Sequence, residues 1–144
     1  MTARTQITPL SLVQDGGVAE GSGTTINSTL VTDGAYIAAP PGPNKVFLIV
    51  ENTYSSSALN VTVRAGGNGV TASGGTNPGV PFEGATVGDL VVSVAENGGI
   101  SMIGPFTSDR FTQADGSLSI DFETAFTGTI WAFQLPNLHI AEDF

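Results

Sequence analysis

The sequence contains no cysteine and only one histidine among its 144 residues. A disulfide framework, thiolate metal ligands and metal sites built on histidine pairs are therefore excluded. We interpret His139, which lies in the C-terminal tail, as a solvated or contact side chain. Neither a phosphate-binding GxxxxGK[ST] motif nor an H-E-x-x-H motif occurs. These absences predict a protein that is not an enzyme and that has no cofactor and no metal ion.

Positive charge is also scarce, since 4 lysines and arginines stand against 13 aspartates and glutamates and the formal net charge is −9. Binding to nucleic acid requires several cations that neutralise phosphates, and an anionic membrane would repel this chain. The longest apolar run, Val46–Val50, is far shorter than the roughly 20 residues that span a bilayer. The first ten residues lack the apolar stretch of a secretory signal, so we expect no export by that route. We therefore predict neither nucleic-acid nor membrane partners.

Charged residues make up 12% of the chain, whereas glycine accounts for 19 residues. This composition argues against helical bundles and is typical of an all-β domain with many turns. We predict a β-sandwich or jelly-roll-like domain of about eight strands without a convincing helix. The predicted strands are Ile7–Val13, Lys45–Asn52, Leu59–Arg64, Asp89–Ala95, Ile100–Ile103, Arg110–Gln113, Leu118–Phe122 and Thr129–Leu135. We expect the second and third of these to form a hairpin across a serine-rich turn.

The patterning varies along the chain and divides it into three parts. Residues 1–30 are weakly patterned and predict an extended N-terminal arm. Residues 31–136 carry the strong strand signals of the sandwich, interrupted by a loop at 66–88 that contains eight glycines. A long loop of this kind is often a binding loop, although we favour a tolerated surface insertion. Residues 137–144 form a short acidic tail.

Carboxylates and aromatic residues offer two alternative functions. Asp115, Asp121 and Glu123 could bind Ca²⁺ or provide the acid and base of a glycosidase, but we favour a solvated acidic surface. Tyr36 and Tyr54 lie near turns and, with the glycine-rich loop, could form a carbohydrate- or receptor-binding surface. The remaining aromatic pair, Trp131 and Phe133, shares one face of the last strand. Stacked on a sugar, this pair would form a carbohydrate-binding surface, but we predict that it packs in the core between the sheets.

Several segments resemble, in order, a family of head decoration (cement) proteins of tailed bacteriophages, chiefly those of actinobacterial hosts. The resemblance covers most of residues 3–136. The segments are Arg4–Leu10, Asp15–Ala19, Pro43–Thr53, Asn60–Gly66, Gly88–Val94, Ile103–Gln113, Asp115–Leu118 and Gly128–Pro136. The chain departs from the family pattern in its longer loop at 66–88 and its added tail at 137–144.

The resemblance implies a β-sandwich that binds the outer surface of the expanded capsid and stabilises it without catalysis. The implied partners are the major capsid protein and further copies of the chain in a homotrimer. Synthesis would occur in the host cytoplasm, and the final location would be the outer surface of the virion. We expect the arm to contact the capsid or a neighbouring subunit, with Arg4 as an ionic anchor onto an acidic capsid surface. The residues expected in this contact are Arg4, Ile7, Pro9, Leu10 and Leu12. Deleting residues 1–12 is expected to abolish capsid binding and leave the sandwich folded.

Overall fold

The computed structural model describes residues 3–13, 15–38, 46–66, 88–106, 108–113 and 115–135. These residues form ten strands and two short helices. The strands are β1 (Thr5–Gln6), β2 (Leu10–Ser11), β3 (Thr24–Ile26), β4 (Ala35–Ile37), β5 (Val46–Asn52), β6 (Leu59–Val63), β7 (Leu90–Val94), β8 (Gly99–Ile103), β9 (Leu118–Phe122) and β10 (Gly128–Gln134). The helices are α1 (Ser28–Asp33) and α2 (Ser108–Phe111). Within the described part of the chain, neither helix has the length that crossing a bilayer requires.

The strands form two mixed sheets. Sheet A has the order β1-β4-β9-β6-β7, and sheet B has the order β2-β10-β5-β8, with β3 also paired to β10. The β1–β4 and β2–β10 pairs are parallel, and the other strand pairs are antiparallel. The predicted all-β sandwich is confirmed.

Alternating side chains place one hydrophobic core between the sheets. In β5, the side chains of Val46, Leu48 and Val50 are fully buried, and the residues between them are half-buried on the opposite face. The same alternation in β6 and β9 directs Val61 and Ile120 inward with no exposure. Because successive residues of a strand point to opposite faces, the positions in between form the two outer faces of the sandwich.

The described residues of the N-terminal segment belong to the sandwich. Its first strand pairs with sheet A at Thr5–Gln6, and its second pairs with sheet B at Leu10–Ser11. Ile7 lies between these strands, where its side chain is 3% exposed and packs in the core. The segment therefore links the edges of the two sheets, and residue 30 does not separate an arm from the domain.

Two local predictions are wrong. The residues predicted as a strand at Arg110–Gln113 overlap helix α2, and only Thr112 makes a β-bridge, to Leu118. Helix α1 was not expected from the apolar pattern because it has only six residues. It is defined by its ends: the Asn27 side chain accepts a hydrogen bond from the backbone N–H of Leu30, and Gly34 ends the helix at φ 79°.

The hairpin expected after β5 is also wrong, because β5 belongs to sheet B and β6 to sheet A. Asn52, at the end of β5, fixes the crossing between the sheets. Its side chain is fully buried, donates from Nδ2 to the carbonyl of Val94 at 3.0 Å and accepts at Oδ1 from the N–H of Tyr54. A buried amide with these partners holds the serine-rich turn at the end of the sandwich.

Candidate functional site

The five predicted contact residues do not share one environment. Arg4 and Ile7 are buried within the domain, whereas Pro9, Leu10 and Leu12 are half-buried at the edge of sheet B. The side chains of Arg4 and Ile7 therefore serve the domain itself. The remaining three still offer partly exposed apolar surface.

Arg4 forms an internal ion pair, so its expected role as an anchor on a capsid does not fit its position. Its side chain is 5% exposed, and its Nη1 lies 2.7 Å from Oδ1 of Asp121 in β9. The same nitrogen donates to the carbonyls of Ala35 and Ile120. These partners lie on β4 and β9, so the guanidinium binds the start of β1 to two strands of sheet A.

The ion pair continues across the outer face of sheet A. Nη1 of Arg64, which follows β6, lies 3.1 Å from Oδ2 of Asp121, and Arg64 Nε lies 3.2 Å from Oδ2 of Asp89. Asp89 also accepts at Oδ1 from the backbone N–H of Ala65 at 2.6 Å. One chain of alternating charges therefore connects β1, β9, the end of β6 and the start of β7.

Further hydrogen bonds join the described residues on either side of segment 67–87. Arg110 donates to the carbonyls of Gly88 and Asp89, and its guanidinium lies 4.7 Å from the ring centre of Phe111. Gln113 is 2% exposed and donates to the carbonyls of Arg64 and Ala65. The ends of the predicted glycine-rich loop are thus held together, while the loop itself lies outside the described residues.

The three carboxylates considered for catalysis or Ca²⁺ binding have structural partners. Asp121 binds two arginines, Glu123 accepts from the N–H of Asn60 at 2.7 Å, and Asp115 accepts from both the N–H and the hydroxyl of Ser117. Among the described residues, no group of three histidine or acidic side chains is arranged to hold a metal ion. The three carboxylates act as hydrogen-bond acceptors that fix sheet A and its turns.

The two tyrosines considered for carbohydrate binding occupy different surroundings. Tyr36 lies in β4 on the outer face of sheet A, where its hydroxyl donates to Gln6 Oε1 at 3.2 Å. Tyr54 follows β5 and packs against the hydrophobic core. The structure therefore gives Tyr54 a packing role and leaves Tyr36 on a polar sheet face.

The aromatic pair of the last strand lies outside the main core, on the outer face of sheet B. Ile130 and Ala132 face inward, so Trp131 and Phe133 point outward. Phe133 is 7% exposed because it stacks on Phe47 with ring centres 5.3 Å apart. Trp131 is half-buried and packs close to Gly23. The prediction that this pair packs in the core between the sheets is therefore wrong, because both side chains lie on the outer face of sheet B.

The strand register continues this surface across sheet B. Trp131 pairs with Ile49, which pairs with Met102, and paired residues share one face. We define the apolar face as the outward-facing hydrophobic residues of β5, β8 and β10: Phe47, Ile49, Ile100, Met102, Trp131 and Phe133. Its two members in the edge strand β8 are the most exposed, Ile100 at 60% and Met102 at 70%.

The apolar face continues to the N-terminal segment and has acidic neighbours. Leu10 pairs with Phe133 and extends the face onto β2. Glu51 lies on the face between Thr129 and Ile100. Exposed Glu20 lines a groove of about 190 Å³ beside Trp131. Exposed Glu96 lies in the turn that leads into β8. Three carboxylates therefore lie on or around the face.

Sequence reasoning did not identify Ile100 and Met102 as surface residues. The segment Ile100–Ile103 was predicted as a strand, but apolar residues at 100, 102 and 103 do not indicate which side faces the core. Ile103 is only 3% exposed and faces the core, so Ile100 and Met102, at odd spacings from it, face outward. The only indication in the sequence is a break in the apolar–polar alternation, because Met102 and Ile103 are adjacent apolar residues.

Comparisons of the chain with protein-family models, with curated proteins and with solved structures found no match.

Proposed function

We propose that this protein is a capsid decoration protein, which binds the outer surface of an expanded phage head and stabilises it without catalysis. The ordered sequence resemblance supports this proposal, because it extends over most of residues 3–136. The β-sandwich fold agrees with what that resemblance implies. Its proposed partners are the major capsid protein and two further copies of the chain, and its proposed location is the virion surface after synthesis in the host cytoplasm.

The observation that carries the proposal is the apolar face. Met102 is 70% exposed and Ile100 60% exposed on a sheet surface that also carries Trp131 and Ile49. Contiguous exposed apolar surface, especially with polar residues around it, is a feature of protein-binding sites. A sheet face presents this surface as a broad area suited to another protein rather than as an enclosed cleft for a small substrate.

Binding would stabilise the shell by mass action. A ligand that binds only the expanded, intact shell favours that state over loss of subunits, by an amount that grows with ligand concentration and affinity. In a homotrimer, three linked copies would strengthen attachment further through their high effective concentration. The half-buried Pro9, Leu10 and Leu12 remain part of the proposed contact, whereas Arg4 and Ile7 no longer do.

Co-sedimentation with expanded heads that lack the protein tests this function. We expect saturable binding at a fixed number of copies per capsomer, measured by gel densitometry, and a higher temperature for disruption of the decorated heads. A folded protein that does not sediment with the heads would contradict the proposal. Binding of that protein to a glycan array would instead support a carbohydrate-binding module.

A further inference from the structure

We infer, on the basis of the proposed capsid-binding function, that the apolar face is the docking surface. We further infer that its partner is a protein surface with an apolar centre and lysine or arginine side chains around it. Exposed hydrophobic side chains make the outer face of sheet B available for binding. The acidic side chains on and around that face favour a basic partner.

The outer faces of sheets A and B differ in whether their side chains are free to contact a partner. On the outer face of sheet A, the charged side chains of Asp121 and Arg64 already bind each other and further groups within the domain. On the outer face of sheet B, Ile100 and Met102 expose most of their hydrophobic surface to water. Covering these side chains removes apolar area from water, which favours association. The apolar face therefore gains the most from contact with a protein.

The charge distribution identifies the chemistry of the partner. The three arginines donate hydrogen bonds within the domain, and the fourth cation of the chain, Lys45, lies outside the described residues. The chain carries a formal net charge of −9, and Glu20, Glu51 and Glu96 lie on or around the apolar face. A second copy that presented this same face would bring the same carboxylates to the contact and would be repelled. A basic rim on the partner would be attracted, which raises the association rate at low salt.

Three variants separate the contributions of this face. Met102→Gln removes apolar character from an exposed position, and Met102→Lys adds a charge that a basic rim repels. Val91→Lys is the matched control, because Val91 is 55% exposed and points outward from the edge strand of sheet A. It changes the net charge of the protein by the same amount as Met102→Lys. Circular dichroism and urea unfolding verify that each variant is folded.

Co-sedimentation with expanded heads then measures affinity in about 50 mM and about 500 mM salt. We expect Met102→Lys to bind at least tenfold more weakly than wild type, Met102→Gln to be intermediate, and Val91→Lys to remain within about twofold. Wild-type affinity should fall as salt rises. Equal losses for Met102→Lys and Val91→Lys, or no loss for either, would overturn the docking face. Wild-type affinity that does not fall with salt would overturn the basic rim.

A second measurement separates failure of this inference from failure of the proposed function. If wild type does not bind heads, the capsid role is rejected. The face is then tested on a chromatography resin that carries both alkyl chains and quaternary ammonium groups. Elution of Met102→Lys at lower salt than Val91→Lys would still support an apolar docking face that favours cationic surroundings. Co-elution of the two variants would overturn it.

Discussion

The outer faces of the two sheets use their side chains in different ways. On sheet A, Arg4, Asp121, Arg64 and Asp89 form a chain of ion pairs, so the charged groups hold strands together. On sheet B, hydrophobic side chains face outward, and those of the edge strand β8 are mostly exposed. A charged group that is already paired within the fold contributes little to the free energy of binding a partner. An exposed apolar side chain contributes favourable free energy only when another surface covers it. We therefore attribute a stabilising role to the outer face of sheet A and the proposed docking to the outer face of sheet B.

The largest expected effect comes from removing the buried cation of sheet A. Arg4→Met removes the hydrogen bonds that Nη1 donates to the carbonyls of Ala35 and Ile120, and it removes one of the two arginines that bind Asp121. We expect the free energy of unfolding to fall by about 3 kcal/mol, measured by urea denaturation. Gln6→Met is the control, because Gln6 lies two residues after Arg4, in β1, and is exposed. A loss below about 1 kcal/mol for Arg4→Met would contradict the structural role of this ion pair.

The same face predicts an effect at Gly34, which ends helix α1 beside the ion pair. Gly34 has φ +79°, and an added Cβ would meet Nη1 of Arg4 and Oδ1 of Asp121. We expect Gly34→Ala to lower the free energy of unfolding by about 2 kcal/mol in thermal or urea unfolding. Gly21→Ala is a reference for a positive φ alone, since Gly21 has φ +71° with open space around its Cβ position.

Gly34 combines φ 79° with ψ 179°, a region that essentially only glycine adopts, so the comparison with Arg4→Met is what tests the contact with the ion pair. We expect Gly21→Ala to cost only the penalty for the positive φ, about 1 kcal/mol. In an Arg4→Met background, Gly34→Ala should cost less than in wild type, because the guanidinium that the Cβ would meet is gone. Equal costs for the two glycines, or strict additivity with Arg4→Met, would show that the packing around Arg4 is unimportant.

The smallest expected effect on stability lies on the apolar face. Ile100→Thr should change the free energy of unfolding by less than about 0.5 kcal/mol, because the side chain is 60% exposed and threonine suits a strand. The same substitution should weaken binding to expanded heads about fivefold. Val91→Thr, at an exposed position of sheet A, should leave both quantities near wild type. A stability loss for Ile100→Thr as large as that for Arg4→Met would remove the distinction between the faces.

The sequence predicted the strands with strong alternation and missed the short ones. Leu118–Phe122 was predicted with its observed bounds, and the predicted Lys45–Asn52 begins one residue before β5. In contrast, β1 has two residues and β3 has three, which is too short for a periodic pattern. Their positions depend on pairing with distant strands, so local sequence could not reveal that residues 1–30 join both sheets.

The candidate site was less accessible to sequence reasoning than the fold. Arg4 and Asp121 are 117 residues apart, and only the register of sheet A brings them together. The exposure of Ile100 and Met102 depends on which side of β8 packs against β5 and the core. Both features arise from tertiary pairing, and neither has a local sequence signal.

Hydroxyl-radical footprinting of the free and head-bound protein tests most directly which face binds. Met102, one of two methionines in the chain, is 70% exposed and provides a reactive sulfur on the apolar face. Tyr36 provides a reactive ring on the outer face of sheet A. If the protein docks through the apolar face, binding to expanded heads protects Met102 from oxidation and leaves the oxidation rate of Tyr36 unchanged. Protection of Tyr36 with continued oxidation of Met102 would contradict it.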